Sequence, residues 1–271
     1  MSDKEYIHGY SETEQARLVS QGQVLSPFIF DKLDLTFVKH LLEVGSGVGA
    51  MTLGILERYP DLPITCLEIS EAQLAKAEIN LPKSKLGTQI QLRQVDARQT
   101  DFESNSTFDG AFLCWVLEHI PQAELVLEEL YRVLKTGSQV FITEVFHSSL
   151  QLFPHCPNAM EYWQKCIDFQ ATIDGDANIG HRLGNLLHDA GFSEIEVRPY
   201  PMFFDKRQPE NRAKLLTYWH GLMFSALENM LEANYCTLEL WQKAEVEMLA
   251  LLENDDAVFY YSFVRGIARK L

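Results

Sequence analysis

The sequence predicts an α/β fold, a mostly parallel sheet with helices on both faces. Three observations carry this. From Lys39 to Lys135, short apolar runs alternate with helical patterns, as in strands joined by crossover helices. The first run, Leu41-Leu42-Glu43-Val44, opens directly into Gly45-Ser46-Gly47-Val48-Gly49 and then a helical pattern. That unit is a nucleotide cradle at the carboxyl end of a sheet. Carboxylates then stand at or just beyond the next two runs, at Glu68 and Asp96, where such a fold collects ligand contacts.

The elements follow in order. Residues 5–38 read as helical and amphipathic, with Leu18, Leu25, Phe28 and Leu33 on one rough face and Pro27 as a candidate helix start. Strand one is 41–44, and a helix follows over 51–58. Strand two is 64–67; Ser70 then caps a helix running to about Leu81. Strand three is 90–95 and strand four 108–115. A helix over 121–134 has Pro121 in its first turn and Gly137 past its end. Strand five is 139–145. Beyond Phe146 come helical stretches, the turn Asp174-Gly175-Asp176, and a sixth strand at 194–198. Two helices follow at 209–233 and 237–253, then a seventh strand at 257–268.

Composition narrows the function. The chain has 271 residues, 46% of them hydrophobic, enough for one large α/β domain without disulfides or metals. Its formal charge of −15 repels nucleic acid and anionic lipid at long range, so small molecules are the expected partners. Five cysteines without a Cys-x-x-Cys pair predict reduced thiols and a cytoplasmic setting. The polar Met1–Glu5 segment does not read as a secretory signal, and no apolar run reaches the ~20 residues that span a bilayer.

The glycine turn implies close backbone approach to a ligand, but not which ligand. Gly45 to Ala50 also satisfies the G-x-G-x-x-G/A dinucleotide pattern. Glu68, 19 residues after Gly49, suits both ribose hydroxyls in either kind of site. An NAD(P)-dependent oxidoreductase is therefore one rival reading, although no Tyr-x-x-x-Lys or similar hydride-transfer set is found. A non-catalytic ligand-binding protein is another.

The remaining strings separate the rivals. Asp96-Ala97 follows strand three, Leu117-Glu118-His119 follows strand four, and Leu134-Lys135-Thr136-Gly137 precedes strand five. With Glu43 two residues before the first glycine, this ordered set resembles the class I S-adenosylmethionine (SAM)-dependent methyltransferases over about residues 10–200. Thr136 and Ser138 replace the usual Pro and second Gly of the last string. The resemblance implies a seven-stranded sheet of order 3-2-1-4-5-7-6, SAM as cofactor and S-adenosylhomocysteine as its product. It implies that Gly45 and Gly47 pass the methionine part, with Glu43 setting its amino group directly or through water. Glu68 would hold the ribose and Ile69 pack beside the adenine. Asp96 would accept from the adenine amine, and Ala97 would donate its backbone N–H. Cys114 and Trp115 would line the cofactor's edge. Gly9–Leu18 resembles the family's lid helix, with Tyr10 closing over the sulfonium and Arg17 or Gln21 reaching the carboxylate.

These readings divide the chain into a lid at 1–38, a SAM-binding core at 39–146, a cap at 147–256 carrying strand six at about 194–200, and a final strand within 257–271. The expected protein is a monomer or homodimer. His119 stands where a general base could act, or where it could hold the loop instead. Glu144, His147 and His155 fall at or beyond the end of strand five, facing the expected cleft. The cap is rich in aromatics, most of them packing; Trp163 is a candidate to line an acceptor pocket beside Glu144 and His147. No spacing for a metal site is present.

Overall fold

The computed structural model describes residues 7–105 and 108–271. Residues 5 and 6, where the predicted first helical stretch begins, lie outside the described residues, as does the Met1–Glu5 segment. Five strands, β1 (Leu41–Val44), β2 (Ile64–Glu68), β3 (Ile90–Gln94), β4 (Gly110–Cys114) and β5 (Gln139–Glu144), lie parallel in the order β3-β2-β1-β4-β5. Three more follow in sequence: β6 (Gln151–Phe153), β7 (Ser193–Phe204) and β8 (Val258–Arg269).

β8 organises this end of the sheet. Its second half, Val264 to Arg269, runs antiparallel to β5, and its first residues, Val258 to Tyr260, pair with β6. β7 lies antiparallel along the opposite edge. The predicted order is therefore present, with β7 as the sixth strand and β8 as the seventh. β6 is an addition the sequence reading missed. Three residues are too few for a readable alternation, and the strand exists because β8 supplies its partner.

The helices are α1 (Glu12–Ile29), α2 (Ala50–Arg58), α3 (Glu71–Asn80), α4 (Ala123–Val133), α5 (Pro157–Thr172), α6 (Leu183–Asp189), α7 (Pro209–Phe224), α8 (Leu227–Glu232) and α9 (Leu238–Leu252). Ser11 starts α1, its Oγ accepting from the Glu14 N–H. Pro27 is inside the last turn of α1 and marks its end, not a start. The predicted helix over 209–233 breaks at Ser225, whose Oγ donates to the Leu222 carbonyl and competes with the helical ladder. Pro121 precedes α4, whose N-cap is Gln122 at φ 57°.

The strand pleat sorts side chains onto two faces. Leu41, Phe112 and Phe141 point toward the layer built from α1, α2 and the helices after Phe146. Leu42, Val44, Leu113 and Ile142 point toward α4 and α6. Gly22 of α1 lets the lid lie against α2; a Cβ there would stand 2.9 Å from that of Ala50.

Candidate active site

A cavity of about 210 Å³ opens at the carboxyl ends of β1, β2, β3 and β4, closed over by α1 and α7. Its floor is the glycine turn. Gly45, Gly47 and Gly49 all have positive φ, at 67°, 52° and 78°. The glycines differ in what they face. A Cβ on Gly45 would stand 2.5 Å from a Val116 methyl, whereas one on Gly47 would meet nothing within 4 Å. Gly45 is glycine because the β4 loop packs on it, and Gly47 because it lies open to the cavity.

Glu68 ends β2 and reaches back to the turn. Its Oε2 accepts from the Gly47 N–H at 2.9 Å, and its Oε1 from the N–H groups of Ile69 and Ser70, both at 2.9 Å. Burial raises its pKa against the pull of these three donors. Ile69, Asp96 and Ala97 line the same wall. The Asp96 carboxylate holds Arg98 in a fork, with Nη2 at 2.6 Å from Oδ2 and Nε at 3.0 Å from Oδ1, which lowers its pKa. Cys114 and Trp115 close the floor, and burial drives the Cys114 thiol far above its usual range. Trp115 sits at φ 55°, a strained conformation for a bulky residue.

Tyr10, just ahead of α1, and Arg17 and Gln21 of α1 also line the cavity. Arg17 is forked onto the buried Glu14, at 2.7 and 2.6 Å, and donates to Gln21 Oε1 at 2.8 Å. Tyr218 of α7 donates to the same oxygen at 2.9 Å, so α1 is tied to α7 across the cavity.

Four predicted residues lie elsewhere. Glu43 is buried behind the turn, where its Oε2 accepts from Thr52 Oγ1 at 2.7 Å and from the Cys66 thiol; burial pushes its pKa up to about 7. It braces β1 against α2 and does not line the cavity. Glu144 does not face the cleft either. It is fully buried, and its Oε1 accepts from the N–H groups of Val116 and Leu117, at 3.1 and 2.9 Å, clamping the β4 loop. Burial, and then the nearby Glu118 carboxylate, push its pKa to about 8. Trp163 is buried behind His147, its indole N–H donating to the His147 carbonyl at 3.0 Å. Nor does His155 line the cavity.

His119 and His147 do line it, and the structure joins them to residues the sequence reading left without a role. The buried carboxylate of Glu118 stands between them, Oε1 at 3.4 Å from His119 Nε2 and Oε2 at 3.6 Å from His147 Nε2. Gln170 donates to Glu118 Oε2 at 2.9 Å. Tyr261 lies 3.1 Å from His147 Nδ1 and accepts from the Phe146 N–H. Burial lowers the His147 pKa to about 4, so this ring is neutral at pH 7. His8 enters from the lid side with its ring edge-on to His119, centroids 6.3 Å apart. Only Glu118 had a readable signal, its place in the Leu-Glu-His string. His8, Tyr218 and Tyr261 come from distant elements and left no local mark.

The cavity suits a nucleoside bearing a polar tail. Gly47 offers bare backbone to it, and among the described residues four lining side chains hold buried polar atoms with no protein partner: Ser46 Oγ, Gln73 Oε1, Trp115 Nε1 and Trp219 Nε1. Such atoms are costly to bury unless a ligand or water satisfies them.

Comparison with known proteins agrees with this geometry. Residues 42–142 match the family described as "Methyltransferase domain". A ubiquinone/menaquinone biosynthesis C-methyltransferase of Agrobacterium fabrum is 29% identical over 174 residues, covering 59% of this chain and 66% of that protein. An O-methyltransferase of Aspergillus sclerotiorum is 27% identical over 176 residues, covering 62% and 63%. The alignments thus span just under two thirds of these relatives. A solved SAM-dependent methyltransferase of Thermotoga maritima shares the fold with a TM-score of 0.55 at 16% identity, over 96% of this chain and 95% of that one. The matched domain, the strand order and the placing of the turn at the head of β1 make residues 42–142 similar to a methyltransferase domain and give the chain the fold of a solved SAM-dependent methyltransferase.

Proposed function

We propose that the chain transfers a methyl group from SAM to a small-molecule acceptor by in-line displacement inside the lidded cavity. The observation that carries this is the mixed make-up of the cavity: the glycine turn, Glu68 and Asp96-Ala97 line it together with the imidazoles of His8, His119 and His147 and several aromatic rings. SAM supplies an electrophilic methyl on a sulfonium when bound. The chain's residues bind, orient and keep water out. Glu68 Oε2 holds the ribose hydroxyls, Ile69 packs on the adenine, and Asp96 with the Ala97 N–H reads the adenine edge. Gly45 and Gly47 pass the methionine part, with Cys114 and Trp115 beneath. Tyr10, just ahead of α1, and Arg17 and Gln21 of α1 close over it. His147 faces the acceptor, and His119 is the residue placed to take a proton.

The acidic chain and enclosed cavity favour a small acceptor over nucleic acid. Among the described residues no helix is long and apolar enough to cross a membrane. A cytoplasmic monomer or homodimer fits this reading. So does a division into a lid at 1–38, core at 39–146, cap at 147–256 and closing strand at 257–271.

Calorimetric titration tests it. Micromolar affinity for S-adenosylhomocysteine, none for NADH, and loss of at least tenfold affinity in Glu68→Ala are expected. Tight NADH binding without S-adenosylhomocysteine binding would refute it.

A further inference from the structure

We infer that the methyl acceptor is an uncharged, ring-sized molecule bearing a carbonyl oxygen, and that the indole N–H of Trp219 binds that oxygen. This rests on the methyl-transfer reading and adds to it a substrate class and a specificity-determining residue.

The first argument counts donors. Three aromatic side chains with polar atoms line the cavity from α7 and β8: Tyr218, Trp219 and Tyr261. Tyr218 Oη donates to Gln21 Oε1 at 2.9 Å. Tyr261 Oη accepts from the Phe146 N–H and lies 3.1 Å from His147 Nδ1. Both hydroxyls are committed within the protein. Trp219 is only 2% exposed, and its Nε1 has no hydrogen-bond partner. The neighbouring indole, Trp163, stands 6.2 Å away between centroids and gives its N–H to the His147 carbonyl. For Trp219 the chain supplies no such oxygen. An indole N–H can only donate, and a buried donor left unpaired costs about 1–3 kcal/mol. A ligand that brings the oxygen removes that cost.

The second argument is position. Trp219 packs on β8, its ring centroids 4.3 Å from Tyr261 and 5.1 Å from Phe259. The glycine turn follows β1, and Glu68 and Asp96 stand at or just beyond the ends of β2 and β3. In the sheet, β8 lies three strands from β1, across β4 and β5. That is about 14 Å at the usual strand spacing. The part of a ligand that meets Trp219 therefore lies beyond the nucleoside.

The third argument selects the group. Arg17 is the one Lys or Arg lining the cavity among the described residues, and it is forked onto Glu14. The Glu118 carboxylate also lines the cavity, held by Gln170 and flanked by His119 and His147. An anionic acceptor group would meet Glu118 with no uncommitted Lys or Arg to offset it. An ammonium brings only donors, which cannot satisfy a donor. A hydroxyl accepts from the indole but brings a proton of its own. Around Trp219 that proton meets the rings of Phe259 and Tyr261 and, one turn along α7, Leu222. A carbonyl oxygen accepts and brings no proton. Met202, paired with Tyr261 across β7 and β8, adds to a wall suited to an apolar ring.

The test is an indole NMR titration of the full chain, ¹⁵N-labelled at its tryptophans and saturated with S-adenosylhomocysteine. The probes are acetophenone, ethylbenzene, 1-phenylethanol and benzoate. Acetophenone should move the Trp219 Nε1–H resonance downfield, and ethylbenzene should not. Trp241 Nε1 also has no partner but lies outside the cavity, so its resonance should stay in place with both. In binding isotherms, Trp219→Phe should weaken acetophenone about three- to tenfold, the worth of one hydrogen bond, and leave ethylbenzene within about twofold. 1-Phenylethanol should bind less tightly than acetophenone, and benzoate about tenfold less tightly. Sequential backbone assignment identifies the Trp219 resonance, so the shift measurement stands even if Trp219→Phe folds poorly. A downfield move with S-adenosylhomocysteine alone would make the cofactor the indole's partner and overturn the inference. So would no binding of acetophenone, an unmoved resonance with acetophenone bound, equal losses for acetophenone and ethylbenzene, or tighter binding of the alcohol or of benzoate. Each of these leaves the cofactor reading intact. Failure to bind S-adenosylhomocysteine would instead overturn the reading beneath it.

Discussion

At the residue scale, similar residues in this site carry different duties, and substitutions separate them. Gly45→Ala drives a Cβ into Val116 and should cost stability outright, by about 1–3 kcal/mol in denaturant unfolding. Gly47→Val meets no protein atom but fills the cradle. It should weaken S-adenosylhomocysteine binding at least tenfold while costing only the backbone strain, about 1–2 kcal/mol. Glu144 offers a pH test. Its carboxyl holds a proton up to about pH 8, while the unfolded chain releases it near 4.5. The folded state therefore binds more protons in that window, and stability falls as pH rises through it. Glu144→Gln keeps an acceptor for Val116 and Leu117 but has no proton to lose. Its advantage over the parent should grow from pH 5 to pH 8, reaching a few kcal/mol, and then level off in thermal melts. An advantage that shrinks with pH would refute this assignment. The sequence placed Glu144 correctly at the end of a strand but not the direction of its side chain. Strand-end acids look alike in sequence: Glu68 turns to the cavity and Glu144 to the β4 loop. What separates them is which backbone N–H groups lie within reach, and only the fold decides that.

At the element scale, α1 is held by groups distant in sequence. Arg265 of β8 donates to the carbonyls of Phe28 and Ile29, at 2.7 and 2.9 Å, and to that of Asp31 at 2.6 Å, capping the helix's carboxyl end. Its guanidinium also stacks on Tyr200, 4.6 Å from the ring centroid. Arg265→Met should cost about 2 kcal/mol and speed amide exchange in the last turns of α1. Tyr218→Phe cuts the lid's tie to α7 and should weaken cofactor binding several-fold with little effect on melting. The sequence announced α1 through its apolar spacing, but nothing local could reveal what anchors it. The same holds for β6, which owes its existence to β8, and for the break at Ser225, which reads as continuous helix until its hydroxyl is seen to bond Leu222 and His8.

At the scale of the whole molecule, ligand binding and folding are linked, because the cavity wall is assembled from α1, four strand ends and α7. A ligand that binds only this assembly at 100 times its dissociation constant adds about 2.7 kcal/mol to stability. Saturating S-adenosylhomocysteine should therefore raise the melting midpoint by several degrees, and NADH should leave it unchanged. The parallel half of the fold was legible because each strand there is announced by its own apolar run and each helix by its own spacing. The later half was less so, since its cap packs through aromatic contacts spread over more than a hundred residues. Trp163, predicted to face a ligand, instead backs His147.

β8 has a further bearing on how the chain is made. It is synthesised after every strand it joins, yet it stands between β5 and β6 on one edge and β7 on the other. Until Val258 to Arg269 have left the ribosome, the outer edge of β5 and the whole of β7 have no partner, and the buried rings of Phe259, Tyr261 and Phe263 are missing from the core. The parallel half can form early during translation, while the cap must wait. A nascent chain paused before Ala257 would expose two unpaired edges and an open aromatic layer, and at that moment its need for chaperone protection is greatest.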